Sequence, residues 1–451
     1  MQVAREVVSL TQTRMTVTLT SDRVQKAYDE ELAKAQKSVR INGFRPGKIP
    51  LSVVRQRYGA AIRKDVVQTL VQQTIASLVE EEQMDLVGYP MIEQLDQEVG
   101  KDLSFVALFE AFPPIHLDQL SSLSVHRPEV EITEADVDEM LLTLRRQVAT
   151  WDVVQRPIAA GDRVTLLLGE KPVDGDVVAE LDDVDWSNAQ LEQLMLIESQ
   201  PALDGLDALY GMEAGASKML DLTFHEYHPE KGCSIDVVVR MPVRVEKVEE
   251  AVLPEVDAEF MARYDDQESA DLESFRGRLR ELMQNEVGKA VTRILKRGVF
   301  LQIADLNPEA QAPRALVGPE LSRIGKTLET LRGIERIKLT GLDQDQRMQR
   351  FTGEAEQSAR IALVIRSIAK AQSLKVNEQR LYEAISKVAM LYENPGQVFE
   401  FMLRDENARR SLEFDVLSDQ ALEWALGQVQ VQSDVVGYRE VFARIPSALA
   451  G

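Results

Sequence analysis

One stretch of the sequence combines side chains that bind anions with residues that shape a tight loop. Residues 32–64 contain no Asp or Glu, although the whole chain has 74 acidic residues in 451 and a formal net charge of −22. About five acidic residues would be expected in a window of this length. Its cations are Lys34, Lys37, Arg40, Arg45, Lys48, Arg55, Arg57, Arg63 and Lys64. A basic island on an acidic chain is typical of a docking site for an anionic partner.

A Gly- and Pro-rich loop lies at the centre of this window. Gly43 and Gly47 allow positive φ and a tight turn, and Pro46 stiffens the loop between them. Phe44 is then able to point outward and fill an apolar niche while the neighbouring cations contact carboxylates or phosphates. The alternative is a solvated loop between two helices with Phe44 turned inward. Physical arguments alone leave both interpretations open.

The elements that must hold this loop are predicted from hydrophobic periodicity. Residues 13–20 alternate as a half-buried strand, and Ser21 caps a predicted helix that runs to about residue 39. A second helix is predicted from about Ile62 to Met84, and residues 105–111 alternate as another strand. Together they predict a compact α+β unit of about 112 residues.

The predicted secondary structure changes twice along the rest of the chain. After Pro113-Pro114, residues 123–131 are predicted to be extended, and Thr133 with Asp136 resembles a capping box that opens a helix. Residues 161–250 are rich in strand patterns. Beyond Leu253-Pro254 the pattern is helical, with later helices predicted at about 319–331, 346–372, 377–391 and 418–429.

Length and composition exclude several classes of protein. A chain of 451 residues predicts two to four domains. The single cysteine, Cys233, allows no intramolecular disulfide, and no apolar run approaches the roughly 20 residues that span a bilayer. We therefore predict a cytoplasmic protein that contacts no membrane. The acidic balance argues against general nucleic-acid coating, so any contact with RNA would be confined to the basic island.

No motif for a cofactor is visible in the sequence. We find no Ser/His/Asp triad, phosphate-binding loop or dinucleotide fingerprint. His225, His228 and Cys233 form the one cluster with metal-binding residue types, but a metal site needs three or four ligands in a fixed geometry. We predict that this cluster binds no metal and that the chain uses no cofactor.

The loop residues resemble a known family signature. Gly43-Phe44-Arg45-Pro46-Gly47-Lys48-Ile49-Pro50 is similar to the ribosome-docking motif of the trigger factor family, and Arg57-Tyr58-Gly59 also matches that family. The resemblance continues at Leu253-Pro254-Glu255 and near Tyr392-Glu393-Asn394-Pro395. It therefore covers nearly the whole chain in the same order.

This resemblance implies a multidomain α+β fold with an FKBP-like β-rich domain and an all-α chaperone domain bearing arms. The expected segments are a ribosome-binding domain at 1–112, a linker helix region at 113–150, an FKBP-like domain at 151–247 and a helical domain at 248–451. It implies an ATP-independent chaperone that binds nascent and unfolded polypeptides and assists folding and export. The implied docking residues are Arg40, Gly43, Phe44, Arg45, Pro46, Gly47 and Lys48.

The implied partner is the large ribosomal subunit at the tunnel exit, both protein and rRNA. The resemblance also leaves open a homodimer away from the ribosome. The alternative function is a peptidyl-prolyl cis-trans isomerase acting on nascent chains, which the family's middle domain implies. Uncatalysed prolyl isomerisation takes tens to hundreds of seconds, so such catalysis would matter for folding.

The middle segment departs from the family pattern at the expected isomerase pocket. Asp162-Arg163-Val164-Thr165 is kept, but Leu167 and Leu168 stand where the family has a pocket Asp and Phe. Asp204 and Asp207 place charge near the segment expected to close the pocket, and Met241 replaces an expected aromatic residue. The candidate remnants of the pocket are Leu168, Leu206 and Tyr227. Either the pocket is lost, or another aromatic residue such as Trp186 or Phe224 fills it, so isomerase activity stays an open question.

Overall fold

The computed structural model describes residues 1–39, 44, 49–169, 181, 184, 186, 189–196, 203–265, 271–330 and 344–445. The chain divides into two compact units. One comprises Met1–Pro114 with Gln311–Leu316, and the other comprises Ile115–Ala310 with Val317–Gly451.

The first unit is an antiparallel sheet covered on one face by two helices. Its elements are β1 (Gln2–Val7), β2 (Gln12–Leu19), α1 (Ser21–Ser38), α2 (Leu51–Glu81), β3 (Met91–Asp96) and β4 (Leu103–Glu110). The sheet order is β1-β2-β4-β3. Alternate residues of β2 and β4 are buried, and Met15, Val17 and Phe105 pack with Val66 and Leu70 of α2. Both predicted strands are therefore confirmed.

Helix boundaries in this unit differ from the predicted ones. Helix α2 begins at Leu51, not near Ile62, and its first turns bury only Val54 and Gly59. Because so few residues are buried there, the apolar periodicity is weak and does not reveal the helix. Ser21 is the first residue of α1 rather than its cap, and its N–H donates to the Asp102 carboxylate at 2.8 Å.

The second unit contains the remaining described elements. In chain order they are β5 (Ser124–Glu129), α3 (Glu134–Gln147), β6 (Thr150–Val153), β7 (Arg163–Leu168), β8 (Gln190–Met195), β9 (Leu203–Asp204), β10 (Ser217–His228), β11 (Cys233–Val252), α4 (Ala258–Ala262), α5 (Leu272–Asp305), α6 (Arg314–Thr330), α7 (Gln344–Ala371), α8 (Glu378–Ala389), α9 (Pro395–Arg404), α10 (Glu406–Leu426), β12 (Gln430–Val435) and α11 (Tyr438–Ala443).

Strands β6–β11 form an antiparallel sheet, which we call the β-rich domain. Its order is β8-β7-β11-β10-β9, and β6 pairs with the end of β11. Alternate residues of β7 face one core, in which Val164, Leu166 and Leu168 pack with Leu222 and Met241. The predicted turn at Asp174-Gly175 lies outside the described residues.

The helices and the β5–β12 pair form the helical body. Strand β5 runs parallel to β12, and Val125 is buried with Val299, Phe300, Val364 and Ala421. The predicted capping box of α3 is confirmed, because the Thr133 hydroxyl accepts from the Asp136 N–H and the Asp136 carboxylate accepts from the Thr133 N–H. The segment expected to link the domains thus contributes to the core of the body.

Helix α3 joins a second apolar cluster of the body. Val137 packs with Phe260, Phe275, Leu279 and Met283, which lie on α4 and α5. The chain order of an α+β first part, a β-rich middle and a helical C-terminal part agrees with the predicted fold class.

Several C-terminal boundaries differ from the predicted ones. Helix α10 begins at Glu406 rather than near Ser418, because the Asp405 carboxylate caps it by accepting from the Ala408 N–H at 2.8 Å. Helix α6 begins at Arg314 and contains Pro319. Helix α9 and strand β12 were not predicted, whereas the predictions for α7 and α8 agree within a few residues.

Candidate functional site

The two ends of the basic loop are fixed to α1 and α2. The N–H of Val39 donates to the Ala35 carbonyl at 2.9 Å and ends α1. On the other side, Ile49 is fully buried, and its carbonyl accepts from the Gln36 side chain at 2.6 Å. The loop therefore starts and ends at anchored positions.

A small apolar cluster forms the base of the loop. Tyr28 and Leu32 of α1 pack with Ile49 and with Val54 of α2. Gly59 lets the helices approach at this point, because a Cβ there would lie 2.6 Å from the Tyr28 hydroxyl. A rigid base of this kind restricts the positions that the loop can reach.

Phe44 is the predicted docking residue that the structure describes. It is 41% exposed, so the interpretation with its ring turned into the core does not hold. Arg40, Gly43, Arg45, Pro46, Gly47 and Lys48 lie outside the described residues. An exposed aromatic ring in a cation-rich stretch of chain is typical of binding surfaces.

The described cations around the base differ in their partners. Lys34 pairs with Glu31 at 2.5 Å, and this hydrogen bond raises the pKa of the Lys34 ammonium. Arg55 pairs with Asp29 at 3.4 Å. Lys37, Arg57 and Lys64 form no ion pair within the part of the chain that the structure describes, and all three are exposed. Since exposed ion pairs contribute little stability, the paired cations are also available to an incoming anion.

Two of the three candidate pocket residues of the β-rich domain share one core, and the third does not. Leu168 is fully buried and shares the core cluster with Leu206 and Phe224. Tyr227 lies instead against the helical body, where it packs with Ala290 and Val441. Phe224, the aromatic residue considered as a replacement at the pocket, is buried in the same core as Leu168 and Leu206.

Met241 is also buried in this core, whereas Leu167, Asp204 and Asp207 are not part of it. Leu167 alternates with Leu168 and is half-buried on the opposite side of β7. Trp186 stacks under the Arg244 guanidinium, 4.2 Å from the ring centre. Asp204 and Asp207, which the sequence placed near the segment expected to close the pocket, are both exposed.

The histidines near the hairpin between β10 and β11 hydrogen-bond to separate carboxylates. His225 contacts Asp236 at 2.8 Å and Asp204 at 3.1 Å, and these hydrogen bonds, Asp236 first, raise the pKa of His225. His228 contacts Glu230 at 3.0 Å. No group of His, Cys, Asp or Glu among the described residues is arranged to hold a metal ion.

The helices that the structure describes lack the features of a membrane span. Within the described ranges, none combines the length and apolar character that crossing a bilayer requires.

Comparison with known proteins identifies the family. Residues 1–144 match the family model for bacterial trigger factor protein, and residues 271–427 match the model for its C-terminus. The trigger factor of Hahella chejuensis is 32% identical over 98% of this chain and 96% of its own length. The chain belongs to the trigger factor family. The relative from Alcanivorax borkumensis is 31% identical over 98% of both chains.

Trigger factors are ribosome-associated chaperones, and this predicted function of the chain is confirmed. A solved structure described as "Promiscuous Substrate Recognition in Folding and Assembly Activities of the Trigger Factor Chaperone" covers 95% of this chain and 99% of its own. Its sequence identity is 16% and its TM-score is 0.44, a likeness that carries no argument about this chain.

Proposed function

We propose that this trigger factor docks on the large ribosomal subunit at the tunnel exit, in the cytoplasm, through Phe44 and the cations of the acid-free window. The observation that carries the proposal is the exposed Phe44 ring in the cation-rich window that contains no Asp or Glu. The ring would enter an apolar niche on a ribosomal protein. Lys37, Arg57 and Lys64 would contact rRNA phosphates or acidic side chains.

The proposal assigns a role to each part of the chain. Residues 1–112 bind the ribosome, 113–150 connect to the body, 151–247 form the β-rich domain, and 248–451 form the helical domain that receives clients. Exposed apolar side chains of the C-terminal helices support the last assignment. Leu391 is 82% exposed, and Tyr382, Met390 and Phe401 are also exposed. Apolar surface of this kind binds unfolded segments, and Met adapts to varied partners.

The same exposed residues suggest what happens away from the ribosome. Without a client, a large exposed apolar surface favours self-association. We therefore expect two copies to associate at high concentration, and analytical ultracentrifugation would measure this.

Alanine substitution tests the docking surface. A triple variant, with Phe44→Ala, Arg45→Ala and Lys48→Ala, should reduce co-sedimentation with empty ribosomes at least tenfold. It loses the aromatic ring and two cations together. The thermal melt should change little, since an exposed loop contributes little burial. Wild-type binding should also weaken as salt concentration rises.

A matched control removes the same side-chain types elsewhere. Phe401, Arg404 and Lys387 are exposed on α9 and α8. Replacing all three with Ala should leave ribosome binding unchanged. If the Phe44 variant binds as tightly as this control, the proposed docking surface is wrong.

A further inference from the structure

The hairpin formed by β10 and β11 extends beyond the rest of the β-rich domain. The two strands pair continuously from Ser217 with Arg244 to His228 with Cys233. Strand β9 pairs with β10 only at Thr223 and Phe224. The residues after this point, Glu226–Cys233, form a two-stranded end that we call the hairpin end.

The hairpin end lies against the helical body. Glu226 forms an ion pair with Arg350 of α7 at 2.6 Å, and their side chains are only 19% and 14% exposed. Pro229 contacts Gly298 of α5 so closely that a Cβ on Gly298 would lie 3.2 Å from it. The hairpin end therefore fits a site formed by several helices.

Two further contacts complete this site. The Arg444 guanidinium lies 5.0 Å from the centre of the Tyr227 ring, and Tyr227 packs with Ala290 and Val441. Gly232 faces His126 of β5, where an added Cβ would lie 3.1 Å from the imidazole.

The β-rich domain is joined to the body covalently at a different place. The chain enters through β6 and leaves through the end of β11, and these pair from Val153 with Glu249 to Thr150 with Val252. A two-stranded ribbon is weakly stable by itself and bends easily. The ribbon can act as a hinge, whereas the hairpin end is held only by non-covalent contacts.

The chemistry of the docked contact makes it reversible. A buried ion pair roughly offsets the cost of removing its charges from water, so it adds little net stability. Tyr227 and Pro229 supply apolar contact at the same site, but Glu226 and Arg350 are well hydrated when the parts separate. The docked and released states should therefore lie close in free energy.

We propose that the hairpin end is a releasable latch that holds the β-rich domain against the helical body. In the docked state it occupies the site lined by Gly298, Arg350 and Arg444. In the released state the β-rich domain pivots on the β6–β11 ribbon. The latch sets the position of that domain relative to the exposed apolar residues of the body.

A single methyl group tests the latch with little risk to the fold. Gly298→Ala favours helix formation in α5, but its Cβ displaces Pro229. Gly288→Ala is the matched control, because Gly288 lies in the same helix and an added Cβ would meet nothing within 4 Å. A second variant, Arg350→Ala, removes the cation that pairs with the largely buried Glu226 carboxylate. Its control is Arg360→Ala on the same helix, which removes the ion pair with Asp305.

Single-molecule energy transfer reports the position of the domain. In a Cys233→Ser background, dyes are placed at Asp207→Cys in the β-rich domain and Lys387→Cys on α8, both exposed positions. We expect Gly298→Ala and Arg350→Ala to raise the ratio of released to docked molecules at least tenfold over wild type, while both controls match wild type. Circular dichroism and ribosome co-sedimentation confirm folding, and Arg350→Met replaces any Arg350→Ala protein that does not fold.

Two outcomes would overturn the latch. One is that Gly298→Ala and the Arg350 variant give the same distance distribution as wild type. The other is that Gly288→Ala releases the domain as much as Gly298→Ala, since the effect would then come from helix α5 itself. Because ribosome binding is measured separately, failure of the latch leaves the docking proposal untouched.

Discussion

The loop of the first unit and the expected pocket of the β-rich domain place family positions in opposite environments. Phe44 is exposed, whereas Leu168 and Leu206 are buried in a core. At the first site the side chain is available to a partner. At the second site it packs against its own domain. A side chain can contact a partner only where the fold leaves it accessible.

The largest test of this contrast compares core truncation with surface truncation. Leu168→Ala should lower the free energy of unfolding of the β-rich domain by about 2–5 kcal/mol, because it opens a cavity in a filled core. Phe44→Ala should change stability by no more than about 0.5 kcal/mol. Urea denaturation measures both. Leu167→Ala, next to Leu168 but half-buried, should fall between them, and equal effects at Leu167 and Leu168 would contradict the assigned core.

The rate of prolyl isomerisation tests the same contrast, with a smaller expected difference in free energy. We expect this chain to isomerise a short Xaa-Pro peptide at least tenfold more slowly than a typical family member, a difference of about 1.4 kcal/mol in barrier. The reason is that Leu168, Phe224 and Met241 fill the core that a prolyl ring would need. A protease-coupled peptide assay measures the rate. A rate equal to that of a typical member would mean that the prolyl ring binds elsewhere in the domain.

The smallest expected effect is on the pH dependence of the β-rich domain. The pKa of His225 is raised above its ordinary 6.5, mainly by the hydrogen bond to Asp236 and then by the one to Asp204. The stabilisation that protonated His225 contributes is complete below its pKa in the unfolded chain, about 6.5. It is lost as pH rises through the higher pKa that His225 has in the folded domain. Because both carboxylates are exposed, the contribution should be at most about 1 kcal/mol.

A substitution separates this contribution from others. His225→Gln should make the melting temperature of the domain less dependent on pH between about 6 and 9, the range around the ordinary histidine pKa. Arg240→Gln, which removes an exposed pair with Asp221 on the same strands, is the control. An unchanged pH profile in His225→Gln would show that the hydrogen bonds from His225 to Asp204 and Asp236 do not form in solution.

Local signals in the sequence predicted much of the fold. Strict alternation predicted β2 and β4, and the Thr133–Asp136 spacing predicted the start of α3. The start of α2 was mispredicted because few of its first residues are buried. Strand β12 was not predicted because it is mostly exposed and is defined by pairing with a distant strand. Local patterns carry no information about such a partner.

The candidate site was predictable to a similar extent. The absence of acidic residues marked the window, and the signature marked Phe44. The sequence could not show that Asp29 and Glu31, outside the window, pair with Arg55 and Lys34. It also did not show that Tyr227 contacts the body, because that depends on how the hairpin end packs on α5 and α11.

The parallel pair of β5 and β12 affects how this protein is itself made. Ser124 pairs with Gln430, so their partnership spans 306 positions of the chain. At roughly 5–20 residues per second, β5 waits on the order of 15–60 seconds after its own synthesis before β12 is available. The β5–β12 pair forms only after β12 has been synthesised, so the β5 segment leaves the ribosome before its partner strand exists and with Val125 uncovered. A chaperone built in this way is, during its own synthesis, in need of the protection it gives to others.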